Sequence, residues 1–170
     1  MKQFYTLLFL LITSGLLAQD IAFKKSNFKD DKSGFEKAKA NMVSGDKWLD
    51  KGKAKVLNME HAANDYLKAL ELYLPAYDFN PNNSDLNRKI GHSYLYTNTP
   101  YKAMPFLKKS LELAGDNSEP FIYFLLGKAF QLEQDFEKAE KSFLRFGTLA
   151  SDKELEPYKK LNRKHIKESK

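Results

Sequence analysis

Apolar positions recur at helical spacing from Phe35 onward, with Phe35, Ala38, Met42, Trp48 and Leu49 on one face. A longer stripe follows through Val56, Met59, Ala62, Ala63, Tyr66, Ala69, Leu70, Tyr73, Ala76 and Tyr77. Gly45 interrupts the first stripe without ending it, and Asp50-Lys51-Gly52-Lys53 predicts a turn between the two. Pro75 predicts a kink inside the second stripe, and Phe79-Asn80-Pro81-Asn82-Asn83 ends it. Ser84-Asp85 predicts an N-cap for a helix reaching Tyr96, and Asn98-Thr99-Pro100 predicts the next turn. A second helix covers roughly 100–114, with Pro105 near its start. Ser118-Glu119-Pro120 opens another helix, which turns at Glu133-Gln134-Asp135 and returns from Phe136 to Ala150. Ser151-Asp152-Lys153-Glu154 has the form of a capping box. The helix after it sets Leu155, Tyr158, Leu161 and Ile166 inward and Lys159, Lys160, Arg163, Lys164 and Lys167 outward. The pattern as a whole predicts an all-α domain over residues 35–168, preceded by a polar, aperiodic leader at 19–34 that Phe23 and Phe28 tack onto it.

Two segments inside this pattern match each other. Ile90-Gly91 with Tyr94 is followed by Ala103, Leu107 and Ser110; Leu126-Gly127 with Phe130 is followed by Ala139, Phe143 and Phe146. Gly91 and Gly127 lie 36 residues apart. A glycine in mid-helix costs about 1 kcal/mol relative to alanine. Close approach of two helices is the compensation expected here, with Gly91, Tyr94, Ala103, Leu107, Gly127, Phe130, Ala139 and Phe143 as the packing set. This resembles the tetratricopeptide repeat (TPR), a helix–turn–helix unit of about 34 residues. The resemblance implies an α-solenoid of three repeats, at about 35–81, 84–114 and 118–150, closed by a C-terminal capping helix at 152–168.

The N-terminus has a different character. Met1-Lys2-Gln3 is basic, Phe4 to Leu17 is predominantly apolar, and Ala18-Gln19-Asp20 turns polar. The segment reads as a secretory signal peptide of residues 1–18, cut after Ala18. It is shorter than the roughly 20 residues a membrane span needs, so no transmembrane helix is expected in the mature chain. The chain has no cysteine, which excludes disulfides, thiol catalysis, cysteine-ligated metal and a lipoprotein anchor. Of the net charge of +6, the excess sits near the two ends and the repeat region is close to neutral, which argues against nucleic acid as a partner.

No catalytic constellation stands out. His61, His92 and His165 fall on three different helices without ligand-pair spacing, and no phosphate-binding or nucleophile motif occurs. The expectation is a protein without enzymatic activity, catalytic residues, metal or cofactor. What remains is a surface. Helical geometry places Asp85, Arg88, His92 and Tyr96 on one face of the second repeat's first helix, and Phe121, Phe124, Lys128 and Gln131 on the matching face of the third. Arginine and aromatic residues are enriched at binding hot spots. These eight residues are the expected partner-binding groove, with Phe121 and Phe124 as apolar anchors.

A narrower resemblance is carried by Leu74-Pro75-Ala76-Tyr77-Asp78-Phe79-Asn80-Pro81-Asn82-Asn83-Ser84-Asp85-Leu86-Asn87-Arg88-Lys89-Ile90-Gly91-His92-Ser93-Tyr94-Leu95 together with Ala103-Met104-Pro105-Phe106-Leu107. This is similar to the N-terminal TPR region of OmpA-like envelope proteins in Gram-negative bacteria that glide or use type IX secretion. In that family the TPR region precedes a β-propeller and a peptidoglycan-binding domain. Neither lies within these 170 residues, which fit an N-terminal fragment or a stand-alone relative, so peptidoglycan anchoring is not implied for them. The resemblance implies an exported interaction module, an adaptor or assembly scaffold in the periplasm, with outer-membrane association and membership of a larger envelope complex as further expectations. Its partner would be a protein or peptide segment in the groove. The alternative is an envelope-surface binder that sets its basic C-terminal tail on anionic lipid or cell-wall polymer.

Overall fold

Among the described residues, seven α-helices account for the apolar period: α1 (Lys32–Leu57), α2 (Ala63–Phe79), α3 (Ser84–Leu95), α4 (Ala103–Ala114), α5 (Phe121–Leu132), α6 (Phe136–Leu149) and α7 (Glu156–Glu168). This computed structural model describes residues 19–151 and 153–168, and the expected signal peptide lies outside the described residues. No strand occurs among the described residues, so the chain is all-α there. Side chains cap three of the helices. The carboxylate of Asp31 accepts the Gly34 N–H at 2.8 Å, the amide oxygen of Asn83 accepts that of Leu86 at 2.8 Å, and Asp135 accepts that of Lys138 at 3.2 Å. The α3 cap is therefore Asn83, one residue before the expected Ser84-Asp85. The α5 N-terminus has no side-chain cap: Pro120 stands there and the Ser118 hydroxyl turns back to the Gly115 carbonyl at 2.6 Å.

The helices pack chiefly as consecutive pairs, α1 with α2, α3 with α4 and α5 with α6. Contacts of α2 with α3 and of α4 with α5 join neighbouring pairs, and α7 lies on α6 and α5. Glycine governs the approach within each pair. A Cβ built on Gly91 would stand 2.6 Å from Leu107 Cγ and 3.2 Å from the Ala103 carbonyl oxygen. One built on Gly127 would meet the Phe143 ring, with Cδ1 at 2.5 Å. Both contacts fall sixteen positions after the glycine, which is how the two matched segments of the sequence become two matched hairpins.

The first pair uses the same device twice, and here the sequence expectation is corrected. The predicted turn at 50–53 does not exist: α1 runs unbroken through Gly45 and Gly52. The chain turns instead at residues 58–62, with Met59 in the left-handed region at φ 60°. Gly45 takes the Tyr73 ring and Gly52 the Tyr66 ring, so α1 and α2 run in opposite directions with both tyrosines wedged between them. Tyr73 donates from its hydroxyl to Asp46 at 2.7 Å, and Asp65 near the start of α2 pairs with Lys55 and Lys51 of α1. The Lys55 hydrogen bond outweighs burial and holds the Asp65 carboxyl below its ordinary value. The predicted second stripe continues through Pro75, which lies inside α2.

The stretch expected as a leader lies along the corner between α2 and α3. Ile21 donates its N–H to the Asn82 carbonyl at 2.7 Å and accepts from the side chains of Asn80 and Asn83 at 2.8 and 3.1 Å. Asp20 accepts from the Ser84 backbone and hydroxyl, both at 2.8 Å. Phe23 and Phe28 close a ring cluster with Phe79 and Phe35, with centroids 5.0–6.4 Å apart.

The core is two clusters joined in the middle. One centres on Leu49, Tyr66, Tyr73, Leu86 and Ile90, the other on Leu107, Phe124, Leu125, Phe143 and Phe146. Tyr94 and Tyr96 touch both and carry packing from one half to the other.

Candidate functional site

The eight residues expected in a groove lie on α3, its C-cap and α5, and α7 packs over the two expected anchors. Phe124 is 0% exposed and Phe121 7%. Tyr158 of α7 stands 4.6 Å from the Phe121 ring centroid and 5.5 Å from that of Phe124, and His165 lies 6.0 Å from Phe124. The two anchors therefore form the floor on which α7 rests rather than an open binding surface. Gln131 donates to the His165 carbonyl at 3.4 Å, a further tie to the covering helix. The apolar stripe of α7 and the turn before it holds the signal for this arrangement: Leu155, Tyr158, Leu161 and Ile166 need an apolar partner face, and α5 offers one.

His92 is buried as well, at 1% exposure. Its ring sits 5.4 Å from Tyr66, 5.6 Å from Tyr96 and 5.3 Å from Phe121, centroid to centroid. Tyr66 Oη is 3.4 Å from Nε2. Burial drives the His92 pKa well below its usual value, and the charges of Arg88, Lys53 and Lys128 push the same way. The imidazole is neutral in the fold and takes up a proton on unfolding, so stability present above the unfolded value of about 6.5 is lost as pH falls below it. The expected loss from this residue is about 1.4 kcal/mol per pH unit below 6.5, continuing until the folded pKa is reached. Urea unfolding compared near pH 7 and near pH 5 reads it out, and His92→Leu removes that increment. Equal pH slopes for the two proteins would show that His92 is not buried neutral.

The remaining groove residues are held by charge. Arg88 donates to Asp85 at 2.5 Å and reaches Glu119 at 3.2 Å, while Lys89 bridges Asp85 and Asp46, each at 2.8 Å. Burial alone would raise the Asp85 pKa, but Arg88 and Lys89 more than offset it and keep the carboxyl below its ordinary value. Tyr96 stacks on Tyr66 at 4.9 Å, and Lys128 lies 5.5 Å over the Tyr96 ring. Arg88 thus joins α3 to the start of α5, and its side chain is only 15% exposed.

One part of this face stays open. Between the last turns of α1 and the N-terminus of α7 lies a cleft of about 470 Å³. Leu57, Phe121, Leu155 and Tyr158 form its apolar lining; Asp50, Lys53, Arg88 and Glu119 form its charged rim. The Tyr158 pKa is pushed up to about 12 by burial and by the nearby Asp50 charge, so its hydroxyl keeps its proton and can donate. Leu57, Leu155 and Tyr158 were not among the expected groove residues, because their approach depends on α1 extending seven residues past Asp50 and on α7 folding back. Among the described residues no group of three or more His, Asp or Glu side chains converges as metal ligands, and no helix is long and apolar enough to cross a membrane.

No protein-family model matches the chain, and comparison with curated proteins finds no match. The class of protein is defined by its own architecture: helices paired through glycine contacts, with a terminal helix laid over the last pair.

Proposed function

We propose that this chain is a TPR-type interaction module that receives a segment of a partner protein in the cleft between α1 and α7. The cleft's apolar lining, in which Leu57 is exposed and Leu155 half-buried over the buried Phe121 and Tyr158, carries this reading together with the paired charges at its border. The TPR assignment is supported by the two hairpins that place glycine, aromatic and alanine at equal offsets. In both, the alanine (Ala103, Ala139) and the residue filling the space over the glycine (Leu107, Phe143) are fully buried. The expected export signal places the working compartment in the periplasm, where the module serves as an adaptor or assembly scaffold.

Partner capture from envelope extracts tests the cleft. The variant of choice is Leu57→Arg, because Leu57 is exposed and Phe124 and Arg88 are structural. The expected outcome is loss of the captured partner with the thermal midpoint unchanged; full recovery of the same partner by the variant would exclude the cleft. A second reading rests on the outer face of α7, where Lys160, Arg163, Lys164 and Lys167 are exposed. Binding to anionic lipid or cell-wall polymer through that face would weaken steeply with added salt.

A further inference from the structure

A second groove lies on the other side of α5, away from α7. Tyr123, Leu126 and Phe130 form its floor, Lys108 and Leu111 of α4 one wall, and Lys141, Ser142 and Arg145 of α6 the other. Its volume is about 330 Å³. The floor residues recur at i, i+3 and i+7, a stripe about 10 Å long at 1.5 Å per residue. Two turns of a guest helix match that length.

The rim is cationic. The Arg145 guanidinium sits 4.6 Å over the Tyr123 ring, and Lys138 Nζ lies 5.7 Å from the Phe130 ring centroid. These contacts hold positive charge at the groove mouth. Lys141 and Lys138 are paired within α6, with Glu137 at 2.6 Å and Asp135 at 2.5 Å. Lys108 and Arg145 stand on opposite walls, and among the described residues neither makes an ion pair. The residues from 61 to 150 are nearly neutral in sum, so this clustering is local.

We propose that the groove is a second docking site, for an amphipathic helix of a partner protein whose apolar stripe is flanked by carboxylates. The apolar side chains would seat against Tyr123, Leu126 and Phe130, and the carboxylates would meet Lys108 and Arg145 across the opening. A membrane surface fits less well: it would meet the rim cations and leave the recessed Leu126, which is buried between the walls, without contact. The site is separate from the α1–α7 cleft and stands whether or not that cleft binds anything.

The test uses the full chain and a helix-forming peptide of about 15 residues, with leucines on one face and glutamates flanking them. Its charge-reversed lysine counterpart and phosphatidylglycerol vesicles complete the set. The glutamate peptide is expected to bind. Its affinity should fall about tenfold or more in Lys108→Glu/Arg145→Glu and stay unchanged in Lys53→Glu, which alters the other cleft. All three substitutions are at exposed or half-buried surface positions, and unchanged thermal melts confirm folding. Absence of glutamate-peptide binding, equal binding of the lysine peptide, indifference to the double reversal, or binding of vesicles alone would each overturn the proposal.

Discussion

Replacing Gly127 with valine is expected to lower the unfolding free energy by about 3 kcal/mol, the upper end of the usual range for overpacking a filled core. The added Cβ would fall against the Phe143 ring, with Cζ at 2.8 Å, and the two methyls have no space beyond it. The ring cannot swing away. It is fully buried, 6.0 Å from the Phe124 centroid and stacked on His165 at 5.3 Å. The hairpin must therefore open or the ring must leave its rotamer. Gly147→Ala supplies the control on the facing helix. A Cβ there would meet only Asn162 Nδ2, at an ordinary 3.5 Å, so the substitution should raise stability by up to about 1 kcal/mol through helix propensity. Chemical unfolding of both variants checks the pair. If Gly127→Val were as stable as the parent, the close approach of α5 and α6 would be refuted.

That same contrast explains which parts of the fold were legible. Gly91 and Gly127 carried their meaning in sequence because each sits within a repeated frame of aromatic and alanine offsets, and chance does not easily produce the frame twice. Gly52 carried no such frame. Beside Asp50, Lys51 and Lys53 it reads as turn chemistry, since a turn and a close helix contact recruit the same residue for different reasons. Only the Tyr66 ring against it reveals which reason applies, and that contact bridges fourteen residues of sequence. The true turn at Met59 had no glycine to mark it. The α3 cap was displaced by a single residue because Asn83, Ser84 and Asp85 are all good capping types; in the fold Asn83 caps the helix and the Ser84 hydroxyl donates to Asp20.

The candidate site was legible by face and illegible by cover. Helical periodicity gave side-chain direction along α3 and α5, which follows from the backbone alone, and the structure sets the Phe121 ring 5.3 Å from His92 and 5.6 Å from Phe124. Which element covers that face is a tertiary fact. Helix α7 has a strongly basic exterior and reads as a solvated cap, yet its Tyr158 ring packs edge-on against both stacked rings, Phe121 and Phe124. An apolar face that looks like a docking site for another molecule can be occupied by the chain's own terminus at lower entropic cost, since the guest is already tethered.

Phe124→Ala should accordingly act on folding and not on recognition, with an expected loss of about 3–5 kcal/mol, the range for a buried phenylalanine reduced to alanine. The ring is in contact with Phe121, Phe143, Phe146, Tyr158 and His165, with centroids 5.4–6.0 Å away, so its removal opens a void shared by α5, α6 and α7. A domain of this size shifts its midpoint by roughly 2–4 °C per kcal/mol, so a fall on the order of 10 °C is expected in a thermal melt. Phe124→Leu keeps most of the volume and should lose far less. The two variants separate the roles cleanly. If Phe124 were a recognition anchor, alanine would abolish partner binding in a protein that melts like the parent. If it is the seat of α7, the melt collapses first, and any binding that survives at low temperature keeps the parent's affinity in the α4–α6 groove, because Tyr123, Leu126 and Phe130 face away from the void.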